Sequence, residues 1–131
     1  MMKKAIFSII FVAAALSAHA DDVMTKQADG TYVVRTTTIC NARGFRKTTP
    51  VEVYIKQGKV QKVVALKNEE SANYFAKVKK SLLPLYEGLK LSKAKKQAEK
   101  TQIDGCTGAT FSTKAVQKNI KAALDYYEKH K

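Results

Sequence analysis

Apolar and polar residues alternate most regularly between positions 51 and 66. Every second residue of the first half is apolar, which is the period of a strand with one buried face. The buried set is Val51, Val53 and Ile55, and the exposed set is Glu52, Tyr54 and Lys56. Gln57 and Gly58 then turn the chain, and residues 60–66 return as a second arm, which predicts a β-hairpin. A β-branched run at residues 31–39 predicts a further strand.

Helical spacing replaces this alternation after residue 67. The apolar residues Ala72, Phe75, Val78 and Leu82 share one helical face. Asn68 is the predicted N-cap of this helix, and Pro84 is its predicted stop.

The last segment, residues 112–131, has the strongest helical pattern of the chain. Ser112 is predicted to open this helix. Its apolar face consists of Val116, Ile120, Ala123, Leu124 and Tyr127.

Residues 85–100 carry only a thin apolar stripe among many lysines, which predicts a short helix with Lys95 and Lys96 on the solvent side. Residues 101–103 are predicted to add an edge strand.

Together these elements predict an α+β fold, with a small antiparallel sheet of about four strands and helices packed on it. The loop at 104–110 then lies at the N-terminus of the last helix.

Residues 1–20 are excluded from the fold because they have the pattern of a cleaved secretory signal. This pattern consists of Lys3 and Lys4, the apolar run 5–16 and the small residues Ala18 and Ala20. An uncleaved anchor is the alternative. Residues 21–131 are predicted to form a single domain in the periplasm or outside the cell.

The chain is strongly basic. Without the two lysines of residues 1–20, the formal net charge falls from +13 to +11. Such a charge favours acidic redox partners or an anionic membrane surface, or serves only to keep the protein soluble. Nucleic acid is not an expected partner, because the predicted export and the sparse aromatic residues both argue against it.

The most specific pattern is the seven-residue segment Asp104, Gly105, Cys106, Thr107, Gly108, Ala109, Thr110. Small residues directly before a helix leave backbone N–H groups accessible, and the helix dipole favours an anion there. A phosphate is therefore the expected ligand, and Ser112, in the adjoining turn, is expected to be one of the residues that bind it. A simple turn followed by a capped helix, binding nothing, is the alternative.

The spacing Asp, two free positions, Thr, Gly, Ala, Thr resembles the modification motif of the FMN-binding domain family. That family includes flavin-carrying components of the sodium-pumping quinone reductase and of the related Rnf complex. The resemblance implies that a flavin transferase, with FAD as donor and Mg²⁺ as helper, esterifies FMN onto the Thr110 hydroxyl. Asp104 and Thr107 would then be read by the transferase, while Gly108 and Ala109 would let the phosphate approach the backbone. Gly105 would also belong to the cofactor-binding residues.

The implied function is an exported electron carrier that holds FMN through a phosphoester, with redox donor and acceptor proteins as partners. Such a protein is an electron-transfer module rather than an enzyme with its own turnover. Two alternatives remain open. One is an exported reductase or binding domain that holds FMN without a covalent bond, and the other is a flavin-free basic module that binds anionic surfaces.

Three further features of the sequence bear on this expectation. Cys40 and Cys106 could form a disulfide after export, or remain two free thiols. No metal site is expected, because His130 is the single histidine after residue 20 and lies at the end of the chain. The chain also lacks the glycine motifs of Rossmann and P-loop nucleotide folds.

Overall fold

The computed structural model describes residues 23–44, 46–101, 103, 105–106 and 109–131. Four antiparallel strands follow one another in space as they do along the chain. They are β1 (Met24–Lys26), β2 (Tyr32–Arg35), β3 (Val51–Lys56) and β4 (Lys59–Ala65). The helices are α1 (Ala72–Lys77), α2 (Leu91–Gln97) and α3 (Thr110–His130). The predicted α+β architecture is confirmed.

The hairpin of β3 and β4 forms as the alternation predicts. Val51, Val53 and Ile55 are fully buried, and Lys56 pairs with Lys59 across the turn. Both turn residues have a positive φ, 54° at Gln57 and 75° at Gly58, which is the combination that a type I′ turn requires. This turn matches the right-handed twist of the two strands and sets their register.

The edge strand was predicted at the wrong end of the domain. The fourth strand is β1, whereas Thr101 and Ile103 have no strand conformation and Gln102 lies outside the described residues. β1 is only three residues long, which is too short for a period of two to stand out in the sequence. The predicted strand at 31–39 is also shorter, because the chain turns at Thr36, whose carbonyl accepts from the backbone N–H groups of Ile39 and Cys40.

The helix that was predicted between Asn68 and Pro84 begins and ends at other residues in the structure. Its N-cap is Ser71, and Asn68 instead accepts a bond from the Glu70 backbone N–H at 3.0 Å. The α-helical hydrogen bonding ends at Lys77, but the chain stays helical through a π turn, Val78–Leu82, and a 3₁₀ turn, Leu83–Tyr86. Pro84 does not stop it, because it occupies the start of the 3₁₀ turn, where no N–H donor is needed.

The second predicted helix exists as α2, and Lys96 is exposed as expected. Lys95 was wrongly placed on the solvent side. Its ammonium group pairs with Glu128 and, at 3.2 Å, with Asp125, so that it ties α2 to α3. The hydrogen bond to Glu128 raises the pKa of Lys95 above its ordinary value.

Helix α3 lies across the sheet and is held there by apolar and polar contacts. Its fully buried residues Val116, Ile120 and Leu124 belong to one core with the sheet valines. Asn119 is also fully buried, and its amide oxygen accepts a 2.6 Å hydrogen bond from the Thr36 hydroxyl. A buried polar bond of this kind is directional, so it fixes the position of α3 along its own axis and thereby the position of its first residue, Thr110.

One buried polar group in this core has no hydrogen-bond partner among the described residues. The Tyr86 side chain is completely buried, and its hydroxyl is unpaired. Burial raises the pKa of this hydroxyl well above its ordinary value. We expect Tyr86→Phe to leave the free energy of unfolding unchanged or to raise it by up to about 1 kcal/mol, because an unpaired buried hydroxyl is a cost. Urea denaturation measures this, and a loss above about 1 kcal/mol would show that the hydroxyl has a partner.

Candidate functional site

Thr110 is the first residue of α3, and its side chain is exposed. The N-cap residue is Ala109, which is buried and offers no side-chain acceptor to the first turn of the helix. The first N–H groups of an α-helix have no intrahelical acceptor. The structure therefore presents an exposed hydroxyl beside the positive end of a 21-residue helix.

Ser112 does not open the helix, contrary to the prediction. It lies in the first turn, where its buried hydroxyl donates to Oε1 of Glu70. Gly105 and Cys106 are described together with Ala109 and Thr110, whereas Asp104, Thr107 and Gly108 lie outside the described residues. The roles predicted for those three thus remain predictions.

Glu70 is the residue that sequence reasoning missed. Its side chain is buried, and besides Ser112 it accepts hydrogen bonds from the backbone N–H groups of Arg46, at 2.8 Å, and Lys47, at 3.3 Å. These partners lie between 23 and 42 residues away along the chain. No local pattern marks such a residue, because in the sequence it is one of two adjacent glutamates before a helix.

Glu70 also lies against the loop at residues 43–48, of which residues 43, 44 and 46–48 are described. This loop comes close to the first turn of α3. A Cβ atom on Gly44 would clash with Oε1 of Glu70 and would lie 3.2 Å from Cα of Ser112. Gly44 also donates its backbone N–H to the Lys47 carbonyl at 2.9 Å, which closes the loop on itself. The loop is thus packed directly against the first turn of α3, with Glu70 between them.

We expect Gly44→Ala to destabilise the fold by about 1–3 kcal/mol, because its methyl group would displace the Glu70 carboxylate. It should also lower the amount of flavin bound, because the first turn of α3 would shift. Gly30→Ala is the matched comparison, since a Cβ there meets no atom within 4 Å and only its positive φ is strained. Denaturation and the flavin absorbance per protein measure both effects. Equal flavin content in the two variants would contradict this placement of the loop.

The motif loop is supported on its other side by the helical segment at residues 72–82. A Cβ on Gly105 would clash with the Ser81 hydroxyl, and φ of Gly105 is +88°, so only glycine fits there. The buried thiol of Cys106 is 3.9 Å from the Lys77 carbonyl, to which it donates. Cys40 and Cys106 are both free thiols, so the disulfide that the sequence left open is not formed in the structure.

The chain leading into the motif is tied to α3 as well. The amide nitrogen of Gln117 donates to the carbonyl oxygen of Lys100 at 2.9 Å. Contacts with Ser81, Lys77 and Gln117 therefore hold Lys100, Gly105 and Cys106 between α3 and the segment 72–82.

Residues 44–125 match the family model of the FMN-binding domain. This chain belongs to the FMN-binding domain family. The matched range begins at Gly44 and contains Glu70, the whole motif and the first turns of α3. No curated protein and no solved structure matches the chain significantly. FMN is thus the cofactor of this domain, and the flavin-free alternative is set aside.

The residues of this FMN-binding domain suit the cofactor's phosphate. Thr110 offers an exposed oxygen at a helix N-terminus, and three residues further on the buried hydroxyl of Thr113 has no partner among the described residues. When bound, FMN supplies the electron-transfer chemistry, while the protein contributes position and electrostatics. Within the described part of the chain, no group of His, Cys, Asp and Glu side chains could hold a metal ion.

An open cavity of about 690 Å³ lies beside the same site of the FMN-binding domain. It extends between the end of β4 and α1, and Glu70 forms part of its wall. Three lysines also line it: Lys67, Lys79 and Lys80. Its size is in the range typical of small-molecule pockets.

Proposed function

We propose that this FMN-binding protein is an exported electron carrier whose FMN is attached through its phosphate to the Thr110 hydroxyl. The observation that carries the proposal is the exposed side chain of Thr110 in the first turn of α3, directly after an N-cap alanine that has no side-chain acceptor. A hydroxyl in this position is accessible to a second protein, and the phosphate attached to it would lie at the helix N-terminus, where an anion is favoured.

The attachment is a group transfer from FAD by a flavin transferase. The Thr110 oxygen bonds to the phosphorus of the FMN half, the pyrophosphate bond of FAD breaks, and AMP leaves. The proton of the hydroxyl passes to a base of the transferase, because a neutral threonine is a weak nucleophile. This domain would thus be the substrate of the transferase, with Asp104 and Thr107 as the residues that the transferase reads.

Glu70 gives the domain its own part in holding the cofactor. It fixes the first turn of α3 through Ser112 and the adjacent loop through the N–H groups of Arg46 and Lys47. Both elements flank Thr110, so the phosphate would enter a preformed rather than an induced site.

The position of His130, the single histidine after residue 20, favours electron transfer without a separate catalytic turnover. His130 stacks on Tyr126 with ring centroids 4.0 Å apart at the far end of α3, about 30 Å from Thr110 for a helix of this length. The basic surface would attract acidic donor and acceptor proteins, and would thereby increase the rate of encounter.

Export is proposed on the residues at 1–20, whose pattern is that of a secretory signal. No helix among the residues that the structure describes is both long and apolar enough to cross a bilayer. A covalent bond suits an exported carrier, because a dissociating flavin would be lost to the surroundings. An anionic membrane surface would be a further partner of the basic domain.

Intact-mass measurement tests the proposal directly. The full chain, produced together with a flavin transferase, should gain the mass of FMN less one water, and the flavin should remain bound after denaturation. The second candidate, non-covalent FMN, is favoured by the cavity beside Glu70, which could hold flavin without an ester bond. Flavin that leaves on denaturing filtration, with no gain in mass, would decide for that candidate.

A further inference from the structure

The cavity beside Glu70 is connected to Thr110 by two independent sets of contacts. On one side Glu70, which lines the cavity, accepts the hydrogen bond of Ser112 in the first turn of α3. On the other side the helical segment 72–82 contacts the motif loop through Lys77 and Ser81. The same segment contributes residues 72, 75, 76, 79 and 80 to the cavity wall.

This arrangement places the cavity within reach of a group attached to Thr110. A phosphate on the Thr110 oxygen would lie at the helix N-terminus, and the ribityl chain would extend away from it. The hydrogen bond between Ser112 and Glu70 connects that end of α3 to the cavity wall.

The walls have the chemistry that an isoalloxazine ring requires. Leu66, Phe75 and Ala76 contribute apolar surface, and Phe75 belongs to the buried core. Among the described residues no ion pair includes Lys67, Lys79 or Lys80, and all three are exposed. The Glu70 carboxylate offsets part of this charge, but three ammonium groups against one carboxylate leave the lining with a net positive charge.

We infer that this cavity receives the isoalloxazine ring and that Lys67, Lys79 and Lys80 favour the reduced flavin over the oxidised flavin. The inference rests on the proposed function, since it takes the phosphate to be fixed at Thr110. Reduction places negative charge on the pyrimidine side of the ring, and nearby ammonium groups stabilise such charge. The three lysines thereby raise the reduction potential of the bound flavin.

The test replaces the three cavity lysines together, as Lys67→Gln, Lys79→Gln and Lys80→Gln. The matched control removes the same charge from three other exposed lysines that do not line the cavity, as Lys90→Gln, Lys93→Gln and Lys96→Gln. Intact mass first establishes flavin attachment in every variant. Spectroelectrochemical titration at low salt then gives each midpoint potential.

The cavity variant should shift the equilibrium between the two redox forms by about tenfold toward the oxidised flavin, because exposed charges interact modestly. For a two-electron couple this is about 30 mV more negative. The control should shift the potential much less. Equal shifts in two fully loaded variants would overturn the inference, because the ring would then lie elsewhere.

A second variant tests the position of the ring without changing any charge. Ala76→Trp would fill part of the cavity from the exposed face of α1, and it should alter the visible circular dichroism of the bound flavin. An unchanged spectrum in loaded protein would also contradict the inference.

Failure of the proposed function has a different signature. If the wild-type chain gains no mass, covalent attachment at Thr110 is refuted. The cavity is then tested with free FMN by fluorescence titration, where the cavity variant should bind more weakly than the control. Equal affinities would refute the cavity assignment as well.

Discussion

Replacing Thr110 with alanine should abolish covalent flavin completely. The chain would keep its fold, because the Thr110 side chain is exposed and contributes nothing to the core. It would lose the oxygen on which the phosphoester is proposed to form, so the expected gain of FMN less water should be absent. Intact mass after production with the transferase measures this, and in-gel fluorescence of denatured protein provides a second readout.

Thr110→Ser is the control for this prediction. It retains a hydroxyl at the same position, and should therefore still gain mass. Circular dichroism of both variants should match that of the wild type, since neither removes a buried contact. A full mass gain in Thr110→Ala would place the flavin on another residue and would refute the proposed attachment.

Replacing Glu70 with alanine should have the largest effect on stability. The buried carboxylate accepts from the Ser112 hydroxyl and from the backbone N–H groups of Arg46 and Lys47. Each buried donor left unpaired costs about 1–3 kcal/mol. Because water would reach some of these donors, we expect a total loss of about 3 kcal/mol in the free energy of unfolding. Flavin attachment should fall as well, since the loop at 43–48 and the first turn of α3 would lose their common partner.

Glu69→Ala is the matched control, because it removes the same charge one residue earlier. Glu69 is exposed and forms only a surface ion pair with Lys47 at 3.4 Å, which is expected to contribute less than about 1 kcal/mol. Urea denaturation of the two variants separates a general charge effect from the loss of the buried contacts. Similar losses in both would show that Glu70 does not join the loop to α3.

Where the decisive interactions were local, the sequence predicted the fold well. The β3–β4 hairpin follows from the strict alternation of apolar and polar residues and from a two-residue turn at Gln57 and Gly58. Both signals lie within sixteen residues of chain. The apolar face of α3 is equally local, since its residues repeat every three or four positions. These elements were confirmed because hydrophobic burial selects the same period in any context.

Predictions of element ends were less successful because tertiary contacts determine them. Asn68 has the chemistry of an N-cap, yet its side chain binds the Glu70 backbone N–H instead. Ser112 also has capping chemistry, but the buried carboxylate of Glu70 captures its hydroxyl. Lys95 was expected in solvent, and α3 supplies the two acidic partners that hold it. For Ser112 and Lys95 the competing partner is distant in sequence, whereas Asn68 binds a backbone group only two residues away.

The sequence by itself determined the α+β class, the central hairpin and the motif at 104–110 that pointed to FMN. Periodicity, turn chemistry and a seven-residue spacing determine these features, and all three are properties of neighbouring residues. Only the tertiary structure decided that Glu70 joins Arg46 and Lys47 to the start of α3, and that a lysine-lined cavity opens beside it. Those features arise where segments far apart along the chain meet. Glu70 is buried where these segments meet, and it connects them through its hydrogen bonds.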